Sequence, residues 1–107
     1  MARAKQASAK AVGVTFSTYD TADYLKTEKQ MAQYLDACLS EAGDDAGYIA
    51  EALGTIARAK GMSKIARDLE VTRAGLYKSL SKDGKPSFEI ILKVIRALGM
   101  RLTVEAA

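Results

Sequence analysis

The stretch Met62-Ser63-Lys64-Ile65-Ala66-Arg67-Asp68-Leu69-Glu70-Val71-Thr72-Arg73-Ala74-Gly75-Leu76-Tyr77-Lys78-Ser79-Leu80 decides the fold. It divides into two short helices about a tight turn. In the first, Ser63 stands where an N-cap belongs, and Ile65, Ala66 and Leu69 share one face at i, i+1, i+4. In the second, Thr72 takes the cap position and Leu76 and Leu80 repeat at i, i+4. Val71, the only apolar residue between them, is expected to plug the angle where the helices meet. This is the layout of a helix-turn-helix, whose second helix enters the DNA major groove. The same spacing also suits two solvated helices of a purely structural bundle.

The outward face of the second helix carries Arg73, Ala74, Tyr77 and Lys78, and its first turn holds the small residues Thr72, Ala74 and Gly75. A recognition helix contacts bases mainly with its N-terminal residues. Glycine in a helix interior costs roughly 1 kcal/mol relative to alanine, so close approach of a partner to the backbone is one reason for Gly75. The net charge is only +3, but it is unevenly placed. Residues 20–51 hold two basic against eight acidic side chains, net −6, whereas residues 58–85 hold eight basic against three acidic, net +5. The basic block coincides with the helix-turn-helix, where phosphate contacts would be needed. A charge run alone is more often a solvated face.

Length and composition narrow the alternatives. A chain of 107 residues suits one domain with a single core, and 49% hydrophobic residues with one proline favour a helix-rich fold. No apolar run approaches the ~20 residues that span a bilayer. Ala11-Val12-Gly13-Val14 is too short for a secretory core, so a cytoplasmic protein with no membrane partner is expected. There is no histidine, and Cys38 is the single cysteine, which removes histidine acid–base catalysis, a zinc site of the usual His/Cys type and an intrachain disulfide. Cys38 lies among Met31, Tyr34 and Leu35 at helical spacing and reads as a buried, inert thiol. No Gly-rich phosphate loop or nucleophile elbow accompanies the carboxylates, so neither an enzyme nor a cofactor is expected.

Residues 1–15 are rich in Ala, Lys and Ser without apolar period and read as a disordered basic tail, with a DNA-touching arm as the functional alternative. Residues 16–107 read as one domain. Asp20 caps a short turn, leaving Phe16, Tyr19 and Tyr24 to pack back on the body. Thr27 with Gln30 forms a capping box for a helix to about Ala42, where Gly43 stops it. Asp44 or Asp45 caps the next helix, about 46–59, with Ile49, Leu53, Ile56 and Ala57 inward. After the turn Asp83-Gly84-Lys85-Pro86, Ser87 caps a last helix carrying Phe88, Ile91, Leu92, Ile95 and Leu98, closed by Gly99. Met100-Arg101-Leu102-Thr103-Val104 alternates and reads as a strand over 100–105. Having no partner in its own chain, it would either lie over the core or pair with a second copy through Leu102 and Val104.

Several linked segments resemble a known family. Tyr19-Asp20-Thr21-Ala22-Asp23-Tyr24-Leu25, Ala42-Gly43-Asp44-Asp45, Ala57-Arg58-Ala59-Lys60-Gly61-Met62-Ser63, Gly75-Leu76-Tyr77-Lys78-Ser79-Leu80 and Gly84-Lys85-Pro86-Ser87-Phe88 are similar to the addiction-module antidote proteins. These are bacterial antitoxins with a Cro/Xre-like helix-turn-helix. The similarity runs from about Tyr19 to Val104. It implies a mostly α, five-helix Cro/Xre (lambda-repressor-like) domain, to which the residues add an N-terminal helical extension and a short C-terminal β-strand. It also implies a small RelE/ParE-like toxin as operon partner and autorepression of the shared promoter. Two positions depart from the pattern. Many such turns hold glycine where this chain has Glu70, and Ala74 offers no hydrogen bond where relatives often carry a polar residue.

The expected DNA interface is therefore Ser63, Lys64, Thr72, Arg73, Ala74, Tyr77 and Lys78, on the operator of the protein's own promoter. Ser63, Lys64 and Tyr77 would touch phosphates. Arg73 is the candidate base reader, since a guanidinium can take guanine O6 and N7 together. The toxin is expected to be basic, which points to Asp20, Asp23 and Asp36 for its contact. A homodimer would present two recognition helices to two half-sites. The alternatives are a stand-alone Xre-type repressor without a toxin, and an adaptor of the same fold that has lost DNA binding.

Overall fold

The computed structural model describes residues 20–107. A 3₁₀ turn, Thr21–Tyr24, precedes five helices: α1 (Glu28–Ala42), α2 (Ala46–Lys60), α3 (Met62–Leu69), α4 (Arg73–Ser79) and α5 (Phe88–Ala97). Helix starts follow the polar residues that can satisfy their first free N–H groups. The Asp20 carboxylate accepts from Ala22 N, the Asp45 carboxylate from Tyr48 N, the Thr72 hydroxyl from Gly75 N and the Ser87 hydroxyl from Ile90 N. At α1 the box is complete: Thr27 Oγ1 accepts from Gln30 N, and Gln30 Oε1 accepts from Thr27 N.

Leu53, Ile56, Ile65, Leu76, Val94 and Leu98 are fully buried, and Met31, Leu35, Cys38 and Leu80 close the same cluster. Each of the five helices supplies at least one of these or their immediate neighbours, so the core belongs to no single pair. Helix α2 is its hub, packing on α1, α3, α5 and the 3₁₀ turn. Gly54 permits the approach of the chain behind α4, since a Cβ there would stand 2.7 Å from the Leu80 carbonyl oxygen. The chain behind α4 can thus lie on α2 with α4's remaining face turned out.

The structure corrects four expectations. Ser63 caps nothing. Helix α3 begins one residue earlier, after Gly61 at φ +124°, and has no side-chain cap. Gly61 ends α2 and opens α3 within one residue, which leaves no room for a separate serine cap. Val71 does not plug the interhelical angle; it is 37% exposed. The reason is the preceding residue. Glu70 is left-handed (φ 60°, ψ 41°), and Val71 N donates back to the Ala66 carbonyl at 3.0 Å, a helix-ending closure that turns the chain sharply. Buried Ile65, Ala66 and Leu76 make the core there instead. Tyr24 keeps most of its surface in solvent, at 60% exposed. Among the described residues there is no strand, so the one expected over 100–105 is absent. A single extended segment has no ladder partner within one chain, and Leu102 and Val104 are accordingly exposed. Phe16, Tyr19 and the basic tail over 1–15 lie outside the described residues.

Candidate functional site

Helices α3 and α4 are joined by Glu70-Val71-Thr72, and the face they turn to solvent carries most of the expected interface. Ser63, Lys64, Thr72, Arg73, Ala74, Tyr77 and Lys78 are all exposed. The Thr72 hydroxyl is already engaged as the α4 cap. Its geometry also accounts for Gly75. A Cβ at residue 75 would meet only Thr72 Oγ1, at 2.9 Å, so the glycine makes room for the cap as well as baring the backbone. The Arg73 guanidinium lies over the Tyr77 ring, 5.7 Å from its centroid, one turn along α4. Such stacking fixes a long cationic side chain without neutralising it.

Ion pairing sorts the basic block. Arg58 pairs with Asp20 at 2.9 Å, Lys64 with Asp68 at 2.9 Å, and Lys60 with Glu28. Lys60 holds the Glu28 carboxyl below the usual carboxylate range. Among the described residues, Arg67, Arg73, Lys78, Lys82 and Lys85 form no ion pair and are exposed. Arg67 and Lys82 were not singled out from sequence. Exposure and pairing separate them from Arg58 and Lys60, and neither property is written in residue order.

A second feature lies beside α4. A groove of about 390 Å³ runs between α1, α2 and α4, lined among others by Tyr34, Tyr48, Glu51, Thr55, Arg58 and Tyr77. Cys38, buried on α1, interacts with the two groove tyrosines Tyr34 and Tyr48. Burial pushes the Cys38 thiol and both phenols up, Tyr48 to about 12. Cys38 is thus a buried protonated thiol, unsuited to nucleophilic work. Among the described residues no group of acidic, cysteine or histidine side chains is placed to hold a metal, and no helix is long and apolar enough to cross a membrane.

Of the acidic residues expected to meet a toxin, Asp20 and Asp23 share the 3₁₀ turn, where Asp23 N donates to the Asp20 carbonyl at 3.0 Å, and Asp36 lies on α1. Asp20 is held by its cap bond and by Arg58. Asp23 is exposed in the 3₁₀ turn, and Asp36 is exposed on α1.

Comparison with known proteins adds the family. Over 87 residues the chain is 44% identical to an uncharacterized protein of Haemophilus influenzae, covering 81% of this chain and 88% of that one. No solved structure matches it significantly. Residues 15–106 match the sequence profile of a family described as "Probable addiction module antidote protein". With nearly the whole helical body inside that match, the chain belongs to the addiction module antidote family.

Proposed function

We propose that this antidote binds double-stranded DNA through α3 and α4, in the manner of a Cro/Xre-like helix-turn-helix, and represses the promoter of its own operon. The observation that carries the reading is the exposed start of α4. There Thr72, Arg73, Ala74 and Gly75 stand at the helix N-terminus with Arg73 unneutralised and steadied by Tyr77. A helix presented by its N-terminal turn, with one forked cation and small neighbours, suits entry into a major groove. Arg67, Lys78 and Lys82 supply further unpaired cations for phosphates.

The operon partner is a RelE/ParE-like toxin, neutralised by protein–protein contact, with Asp23 and Asp36 available for that contact. The DNA-binding species is a homodimer. Phe88, 66% exposed, and Leu92 stand one turn apart on the outer side of α5, and Leu102 and Val104 follow in the exposed tail. Four exposed apolar side chains on one terminal segment suit burial against a second copy. Sedimentation is expected to show a dimer that Phe88→Lys turns into a monomer; a wild-type monomer at working concentrations would end the dimer reading.

The decisive experiment is gel retardation of a duplex from the protein's own upstream region over a series of salt concentrations. Binding that weakens steeply with salt, and is lost or relaxed in Arg73→Ala, is expected. An absence of retardation at low salt would leave an adaptor of the same fold.

A further inference from the structure

The groove beside α4 has a chemistry that the duplex reading uses only at Tyr77. Three tyrosines, Tyr34, Tyr48 and Tyr77, contribute to its lining, with Glu51 and Thr55 between them on α2. Its volume of about 390 Å³ lies in the range of small-ligand pockets. Its charge decides what enters. Arg58 is the one cation in the lining, and Asp20 engages it at 2.9 Å from outside. Glu51 is in no ion pair among the described residues, and Glu41 stands within interaction range of Tyr48. With Arg73 over the Tyr77 ring, the surroundings hold three carboxylates to two guanidinia, and within the lining Arg58 is engaged by Asp20 while Glu51 is left without an ion pair, so the uncompensated charge in the lining favours a cation over a phosphate.

We propose that this groove is a receptor for an arginine side chain of the toxin partner, seated among Tyr34, Tyr48 and Tyr77 with its guanidinium on Glu51. The proposal rests on the family's antidote role for the existence of a protein partner, and it does not require DNA binding. Aromatic rings attract cations, and the phenol and threonine oxygens accept from the guanidinium N–H groups that a carboxylate leaves unused. Arginine suits this lining better than lysine because its planar fork can meet Glu51 and a ring together. Tyrosine and arginine are also the residues that dominate binding energy at protein interfaces. The contact site so placed differs from Asp23 and Asp36, which lie outside the groove lining.

The test uses the full chain with labelled tyrosine rings, titrated with N-acetyl-arginine amide and, separately, with its neutral isostere N-acetyl-citrulline amide. Saturable shifts of Tyr34, Tyr48 and Tyr77 are expected with arginine, at least tenfold weaker binding with citrulline, and at least threefold weaker arginine binding in Glu51→Gln. Equal binding of citrulline, silence of the three rings, or the same ring shifts produced by inorganic phosphate would overturn the proposal. In a second arm, affinity for the protein encoded next to this gene is measured. Glu51→Lys is expected to weaken it at least tenfold, with melting temperature unchanged; undiminished affinity overturns the proposal. Wild-type failure to retard DNA would sink the duplex reading alone, leaving both arms interpretable.

Discussion

Arg73 and Tyr77 form a single unit: the guanidinium rests 5.7 Å from the ring centroid, one turn along α4, with both side chains exposed. A flexible cation on a short helix is thereby given a preferred direction before any partner arrives. If Arg73 reads a guanine, Arg73→Ala is expected to weaken operator binding by about 1–3 kcal/mol and to relax discrimination at one base pair. Arg73→Lys is expected to restore affinity without specificity, since a point charge lacks the fork. Retardation assays on the operator and single-base variants measure both. Uniform weakening across sequences, with a shallower salt slope, would make Arg73 a phosphate clamp.

Glu70 is held at φ 60°, ψ 41°, between α3 and Thr72. A non-glycine residue there costs roughly 1–2 kcal/mol, partly offset in glycine by greater freedom of the unfolded chain. Glu70→Gly is expected to add about 1 kcal/mol and raise the melting temperature by about 5 °C. Calorimetry or thermal circular dichroism decides, and an unchanged or lower melting temperature refutes the strain argument.

Thr72 holds the first turn of α4 through its bond to Gly75 N at 2.9 Å. Thr72→Ala is expected to cost about 1 kcal/mol, whereas Thr72→Ser keeps the acceptor and most of the stability. Denaturant titration of the three proteins separates the cap from the methyl group. Equal losses in both variants would assign the effect to packing.

Gly54 faces the Leu80 carbonyl, with 2.7 Å available to a Cβ. The obstruction is backbone, so it cannot rotate aside. Gly54→Ala is expected to destabilise by about 1–3 kcal/mol, as overpacking does, despite alanine's better helix propensity. A stabilised variant would show that the chain behind α4 gives way easily.

Burial raises Cys38, Tyr34 and Tyr48 above their ordinary values. In the unfolded chain the thiol ionises from about pH 8.5 and the phenols from about pH 10, while the folded chain keeps their protons. Above about pH 8.5 the unfolded state therefore binds fewer protons, and stability falls as pH rises. Melting temperature is expected to be insensitive to these groups from pH 6 to 8 and to decline towards pH 10.5. Cys38 is expected to react with a thiol reagent at pH 8 only as fast as the chain opens; rapid labelling of the native protein would contradict its burial.

Local information in the sequence was enough for every helix and for most helix starts. Thr27 with Gln30, Asp45, Thr72 and Ser87 announce them because a capping hydroxyl, amide or carboxylate acts within three residues. Glu70 stood out in the sequence only against the glycine that similar turns hold; that it is left-handed was decided by the fold. What the sequence left undecided depends on contacts between distant segments. Ser63 lost its cap role because Gly61 serves two helices at once, and Val71 turned outward because the chain closes back on Ala66. The 100–105 alternation made no strand, since a ladder needs a second segment beside it. Pairing of Arg58 with Asp20, 38 residues apart, and the gathering of Tyr34, Tyr48 and Tyr77 from three helices, were fixed only when the core closed around Leu53, Ile56 and Ile65. Caps and periods act over one turn, whereas ion pairs and grooves depend on which helices the buried side chains force together.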